Sequence, residues 1–396
     1  MTRFSKPTMV IMALIAFSVI SVCALAQTPT HYVVTNDDQA SGNTATIYQA
    51  GGSAGLTQVK VVSTGGTGLG GGYFATGRVG VQHDGRGQCF YISNAGTGDI
   101  TSISATTLNK VGNFSGSSSD DGSTLGIGLA INGKYLYAAY TASNTIATFG
   151  IGAGCNLKFL GDIDALGLSG GSTDGMAGHG NILVVTYGDG SIESFDVSGG
   201  IPVSNNDLQN SSGFAAGNWP GGVDITKDGK YAVFGDIPTV NGFTTVEVSN
   251  ISSGKLTATT VFGSDGSLGS ATNSNNVLLS PDETVLYISN NSSGQVTAAF
   301  FDATTGAVTN GCTSPVMRKF FGTWFYTSGL GMGSPKGTGG NVYVAEWGGG
   351  LASSIGVLGL TKTGSGCTLQ ETGYSPITDA NSVGLLSLGT YPARPF

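Results

Sequence analysis

The sequence predicts an all-β fold, a seven-bladed β-propeller of four-stranded antiparallel blades whose ring is closed by the C-terminal strand. Three observations carry this. The first is composition: of 396 residues 67 are Gly and only 10% are charged. That excludes coiled coils and helical bundles, which rest on Ala, Leu, Glu and Lys at helical periods and keep Gly out of helix interiors. With 39% hydrophobic residues, including 18 Phe, the chain has enough apolar surface to offset the entropy of ordering, so disorder is excluded too. The second is a repeat. Seven apolar runs (32–36, 90–94, 136–140, 183–187, 232–236, 286–290 and 342–346) end 46 to 58 positions apart, a period that fits a four-stranded unit. The third is an imbalance between the two ends of the chain, taken up below.

In order along the chain, Arg3 and Lys6 precede the apolar stretch Met9 to Val22 and the small-x-small site Ala24-Leu25-Ala26. This is the pattern of a secretory signal over residues 1–26, with the propeller occupying 27–396. The stretch is shorter than the roughly 20 residues a spanning helix needs. Val22 stands before Cys23 where a lipoprotein signal has a small residue, so export to the periplasm or exterior is expected, with no membrane span.

Each apolar run has the same neighbours. Before it come a short apolar strand and a tight turn, as in Asp228-Gly229, whose Gly supplies the positive φ that hairpins need. After it come a small polar turn, an alternating strand such as Gln295 to Phe301, then Thr305-Gly306 and a fourth strand. The unit is a meander a-b-c-d in which the run is strand b. No amphipathic helical stretch follows the signal. The first b strand, at Tyr32, begins too close to the cleavage site to have its own strand a. Ser382 to Gly389 is apolar and has no b, c or d after it, so it fits the vacancy and removes two exposed edges.

Charge narrows the partners. Lys and Arg number 16 against 24 Asp and Glu, for a net charge of −8, with no basic stripe of the kind that displaces counterions from a polyanion. Nucleic acid and anionic membrane surfaces are therefore not expected, and a monomer is. After loss of Cys23 with the signal, Cys89, Cys155, Cys312 and Cys367 remain, an even number in an oxidising compartment, which favours disulfides. Cys89 opens a b strand and Cys155 a d strand in the next blade, on one face of the disc, so these two pair. Cys312 and Cys367 follow by elimination. None lies in a metal-type spacing. The acidic groups Asn36-Asp37-Asp38 and Asp120-Asp121 lack the spacing of a Ca²⁺ loop, so no metal or cofactor is expected.

The segments Ser280-Pro-Asp-Glu-Thr-Val-Leu-Tyr-Ile-Ser-Asn290, Asp228-Gly-Lys-Tyr231, Gly133-Lys-Tyr135 and Asp302-Ala-Thr-Thr-Gly306 resemble the lactonase-like seven-bladed propellers. That family includes bacterial 6-phosphogluconolactonases, fungal carboxymuconate-lactonising cyclases and exported proteins with YVTN-type repeats. The resemblance covers nearly the whole chain after the signal and implies the fold and a site at the mouth of the central channel. Members of the phosphogluconolactonase type carry an Arg-His pair near the start of strand a. Here the matching positions hold Gly221-Gly222 and Asn275-Asn276, while Arg78 stands where a His is expected in the second blade.

The channel mouth lies on the face of the d-to-a and b-to-c connections, where the long segments 63–77, 115–126, 204–221 and 313–333 fall. Arg78, Asp236 and Glu346 are the catalytic candidates: a carboxylate at the end of strand b as base toward water, and the cation for the developing oxyanion. Asn36, Asn94 and Asn290, at equivalent strand ends, and Trp219 and Trp347, beside the same loops, are candidates for holding a ligand. His31, His83 and His179 fall away from this face. Gly167-Leu-Ser169-Gly-Gly171 matches G-x-S-x-G without the helix that such an elbow requires. Two functions remain open: a lactonase-type hydrolase or cyclase acting on a small unphosphorylated lactone, and a non-catalytic exported propeller that binds a glycan or protein or serves as a surface scaffold.

Overall fold

The structure is a computed structural model that describes residues 31–51, 55–70, 77–84, 87–123, 126–211, 219–237, 243–317, 326–332, 341–347, 352–364, 366–383 and 387–391. The predicted signal at 1–26 lies outside these. Seven antiparallel sheets account for the described chain. Blade 1 holds β1 (His31–Asn36), β2 (Thr44–Ala50) and β3 (Leu56–Ser63). Blade 2 holds β4 (Val79–Asp84), β5 (Gly87–Asn94), β6 (Asp99–Ser104) and β7 (Lys110–Ser115). Blade 3 holds β8 (Ile127–Asn132), β9 (Tyr135–Tyr140), β10 (Thr145–Ile151) and β11 (Leu157–Asp164). Blade 4 holds β12 (Thr173–His179), β13 (Ile182–Tyr187), β14 (Ser191–Asp196) and an outer strand split into β15 (Val203–Ser204) and β16 (Gln209–Asn210). Blade 5 holds β17 (Trp219–Ile225), β18 (Tyr231–Ile237), β19 (Val246–Ser252) and β20 (Lys255–Phe262). Blade 6 holds β21 (Ser274–Leu279), β22 (Val285–Asn290), β23 (Gln295–Asp302) and β24 (Ala307–Thr313). Blade 7 holds β25 (Tyr326–Met332), β26 (Asn341–Trp347), β27 (Ala352–Thr363) and an outer strand split into β28 (Gly366–Glu371) and β29 (Ile377–Val383). The last strand, β30 (Ser387–Tyr391), pairs with β1. One 3₁₀ turn, Ala153–Cys155, is the helical element of the described residues.

All seven apolar runs are the second strands of blades. They read as continuous rather than alternating because each packs against a neighbouring blade on both faces. In β5, Phe90 and Ile92 join Val34 and Ile47 of blade 1, while Cys89 and Tyr91 join Leu136, Ala138 and Phe149 of blade 3. In β13, Leu183, Val185 and Tyr187 face Tyr137 and Ala139 of blade 3, and Ile182 and Val184 face Ala232 and Phe234 of blade 5. The same alternation continues through blades 5 and 6, 6 and 7, and 7 and 1. Seven clusters fill seven interfaces, so the ring has no open side.

Closure is by the C-terminal strand, displaced along the sequence from the expected 382–389. Thr35 stands opposite Leu388 and Val34 opposite Gly389, whereas Ser382 and Val383 end β29, where Val383 pairs with Ala352 of blade 7. Apolar character alone does not show where the chain leaves the outer edge of one blade for the inner edge of the next. Gly389 is needed at that point, because a Cβ there would lie 2.8 Å from both Val79 Cγ1 and Val81 Cγ2 of β4.

Both expected disulfides are formed. Cys89–Cys155 ties blade 2 to blade 3 with Cα atoms 5.6 Å apart, and Cys312–Cys367 ties blade 6 to blade 7 at 5.5 Å. The bridged residues are 66 and 55 positions apart, and loops of that size restrict the unfolded chain by about 4 kcal/mol each in the chain-entropy description. Reduction of the folded protein is therefore expected to shift its urea midpoint strongly downward. An unchanged midpoint would show that neither bridge bears on stability.

Candidate functional site

The inner strands explain the missing Arg-His pair. At their channel-mouth ends, β12, β17, β21 and β25 each carry a register irregularity, at Thr173/Gly175, Pro220/Val223, Ser274/Asn276 and Thr327/Gly329. Such bulges bend a strand and change which way it presents its residues. In blades 4 to 6 they nest the inner strands against one another. A Cβ on Gly221 would lie 2.0 Å from the Asn275 carbonyl oxygen, and one on Gly222 would lie 1.9 Å from Asn276 Oδ1. The Thr186 hydroxyl accepts from Gly175 N at 2.9 Å and donates to the Gly221 carbonyl at 2.8 Å, tying blade 4 to blade 5. Positions 221 and 222 thus have no room for any side chain, and least of all for Arg and His.

Arg78 is buried, 2% exposed, immediately before β4. Its Nη1 lies 3.1 Å from Asp38 Oδ2 in the turn after β1, and its backbone N–H donates to Ser387 Oγ on the closing strand. Asp38 sits in the left-handed region at φ 54° and accepts from Leu69 N at 3.0 Å. The pair links blades 1 and 2 beside the seam. Asp38 was read from sequence only as part of an acidic run, since nothing local signals a partner forty positions away in the next blade. Arg78→Ala would take the cation away from a buried carboxylate, a change that costs about 3–5 kcal/mol, so its expected effect is on stability in urea unfolding. A full-stability Arg78→Ala protein would show that the pair is not structural.

Asp236 and Glu346 are both fully buried. Asp236 is the penultimate residue of β18, and it acts on Glu247 of β19, whose carboxyl is pushed up to about 9 by burial first and by Asp236 second, against a smaller opposing effect of the Ser211 hydroxyl. Glu346 Oε2 accepts from Ser354 Oγ at 2.8 Å, and Gly356 leaves room for it, since a Cβ there would lie 2.6 Å from Glu346 Oε1. Arg78, Asp236 and Glu346 occupy blades 2, 5 and 7. Blade 1 stands between 7 and 2, blade 6 between 5 and 7, and blades 3 and 4 between 2 and 5, so the ring sets the three in separate sectors of the channel.

The three asparagines expected to face a ligand are buried ties between blades. Asn36 Nδ2 donates to the Ser93 carbonyl at 2.8 Å, and its Oδ1 accepts from Asn43 Nδ2 at 3.0 Å. Asn94 donates to Asp99 Oδ1 and Thr101 Oγ1 and accepts from Asn43. Asn290 donates to Thr297 Oγ1 and accepts from Ser274 Oγ and Thr244 Oγ1. Strand ends in a propeller are wedged against the next blade, so a short amide there replaces missing ladder partners. Trp219 opens β17 opposite Ile237, and Trp347 ends β26 opposite Tyr326, both at channel-mouth ends of their strands. Their side chains lie outside the described part. His179 ends β12 on the other face, beside a cleft of ≈ 430 Å³ between blades 4 and 5.

Sequence reasoning missed the prevalence of carboxyl groups held in the acid form. Besides Glu247, burial pushes Asp174, in the β12 irregularity, up to about 8. Asp37, one residue past β1, is pushed up to about 7 by burial and by Asp379. Near neutral pH Asp174 and Glu247 carry little charge, while Asp37 stands between its two forms. Among the described residues no cluster of His, Cys, Asp and Glu could hold a metal ion.

Solved structures share this architecture. A candidate 6-phosphogluconolactonase of Bacteroides fragilis superposes with a TM-score of 0.60 at 17% identity, covering 92% of this chain and 99% of that one. A protein of unknown function from Desulfotomaculum acetoxidans gives 0.61 at 10% identity, covering 91% and 99%. The fold is a seven-bladed β-propeller. The periplasmic gluconolactonase PpgL of Pseudomonas aeruginosa gives 0.50 at 16% identity over 71% of this chain and 80% of that one. No family model and no curated protein matches the sequence. At these identities the likeness is one of fold.

Proposed function

We propose that this chain is an extracytoplasmic propeller that binds a small, uncharged, hydroxyl-bearing molecule, a sugar or sugar lactone, at the channel mouth without turning it over. The observation that carries this is the nested backbone at Gly221 and Gly222, which occupies the space a catalytic Arg-His pair would need. The Arg78–Asp38 pair agrees with it, because a cation already neutralised at 3.1 Å is a poor clamp for a phosphorylated substrate or an oxyanion. Carboxyls in the acid form suit neutral hydroxyl ligands. Two disulfides, the N-terminal pattern over 1–26, and a structural neighbour named as periplasmic support the location.

A second reading, hydrolysis of an unphosphorylated lactone, is favoured by one arrangement: the acid form of Glu247 beside Asp236 pairs a proton donor with a base. One experiment separates the two. Glucono-δ-lactone, its open acid and neutral disaccharides are offered to the purified protein, with ring opening followed by pH-stat and binding by calorimetry. The binding reading expects heat of binding with no ring opening above the uncatalysed rate. Turnover that falls a hundredfold or more in Glu247→Gln would establish the hydrolase.

A further inference from the structure

We infer that the ring closure is a proton-dependent latch, in which Asp37 of blade 1 and Asp379 of blade 7 share a proton across the seam and release the closing strand when both are ionised. Asp37 follows β1, the strand on which β30 closes. Asp379 lies on β29, the outer strand of blade 7, from which residues 384–386 lead into β30. The Thr35 hydroxyl stands between the carboxyls, 2.5 Å from Asp37 Oδ1 and 3.1 Å from Asp379 Oδ2. The other Asp37 oxygen accepts from Thr44 Oγ1 at 2.6 Å and Thr46 Oγ1 at 2.9 Å. Both aspartates are fully buried.

Proton counting gives the latch its chemistry. Thr35 has one hydroxyl hydrogen and can satisfy one carboxylate at a time. Unless one of the acids also carries a proton, two buried like charges face each other. The titratable groups around the pair are Tyr48 from β2, whose hydroxyl is held far above its usual range by burial first and then by both aspartates, and the Asp38–Arg78 ion pair on the adjoining residue. From β29 itself come Asn381 N–H, which donates to Asp379 Oδ1, and Asn381 Nδ2, which donates to Thr46 Oγ1. The facing residues of β27, Ala352, Ser354 and Ile355, carry no charge. Among the described residues no basic group pairs with either aspartate, so a proton is what neutralises the site. Burial raises both acids, and Asp37 reaches about 7.

The sign follows from linkage. The closed seam holds a proton that the opened seam, with carboxyls near 4, gives up, so opening is favoured as pH rises from about 4 and levels off above about 7. Native-state hydrogen exchange of the full-length protein at pH 5 to 8, corrected for intrinsic rates, reads this directly. Protection of 387–391 is expected to fall about tenfold per pH unit up to pH 7, while β9 in blade 3, which exchanges only through wider unfolding, stays better protected at every pH. In Asp379→Asn the seam keeps its hydrogen bonds but has one acid raised by burial alone, and the pH dependence is expected to weaken with protection staying high. Asp37→Asn makes the same test from the other side should the first variant fold poorly. Protection at 387–391 that is independent of pH in the wild type, equally pH-dependent in both variants, or no lower than that of blade 3 would overturn the latch.

Discussion

Removal of residues 384–396 is expected to cost the protein its stable monomeric fold. Without β30, β1 loses its inner partner, and the interface between blades 7 and 1 loses Leu388, which is 5% exposed in a cluster with Val33, Tyr48 and Ile355. Truncating one buried leucine to alanine costs about 2–5 kcal/mol. Here a whole strand goes with it and leaves a bare edge, which invites association. The expected result is a melting temperature at least ten degrees lower, or aggregation on purification, read by calorimetry and light scattering. A truncated protein that stays monomeric and melts like the full chain would show that the strand decorates the ring without closing it. Unlike a residue in the candidate site, β30 tests architecture alone, so its outcome leaves the functional proposal untouched.

Mild acid is expected to stabilise the protein, against the usual trend. The three carboxyls raised by burial, Asp37 to about 7, Asp174 to about 8 and Glu247 to about 9, hold protons in the folded state that an unfolded chain releases near pH 4. Their contribution is full below the unfolded value, falls as pH rises, and is exhausted above each folded value, so the losing window runs from about pH 4 to 7, 8 and 9 in turn. Turn aspartates act the other way. Asp282 is lowered by hydrogen bonds from Ser280 and Thr284 that outweigh its desolvation, and Asp302 is lowered by bonds from Thr305 and Thr304, so their stabilisation is lost below about pH 4. A stability maximum near pH 4 to 5 is expected, declining toward neutrality by on the order of 1 kcal/mol per pH unit. Urea midpoints at pH 4.5, 6, 7.5 and 9 check this, and a midpoint that rises across that series would contradict it. Glu247→Gln should flatten the upper end of the decline.

What the sequence showed and concealed follows from the range over which each feature is determined. The b strands are legible because two buried faces, a tight turn before and a polar turn after are all written within about ten residues. Gly229 at φ 68° and Gly306 at φ 72° mark turns that only a residue without Cβ makes cheaply. The disulfide pairs were legible once strand order was known. The register of β30 was not, because Val383, which ends one blade, and Leu388, which begins another, have the same apolar character. The polar seam was hidden more deeply. Thr35 and Asp379 stand 344 positions apart, and an acid reads as solvated until the opposing blade is in place. Asn36, Asn94 and Asn290 show a related ambiguity: a polar residue at a strand end is as well suited to bonding the adjacent blade as to meeting a ligand.

The placement of the two disulfides bears on how the ring recovers from a breach. One crosslink fastens blades 2 and 3 and the other blades 6 and 7, so blade 1 lies between two reinforced pairs. When β30 lifts away, the molecule becomes a horseshoe with stiffened arms rather than a loose chain. The detached strand remains covalently joined to β29, within reach of its own groove. Rejoining is then an intramolecular search at high effective concentration, and it outruns capture by a second molecule's exposed edge. The ring can in this way open its weakest joint repeatedly and still return to a closed disc.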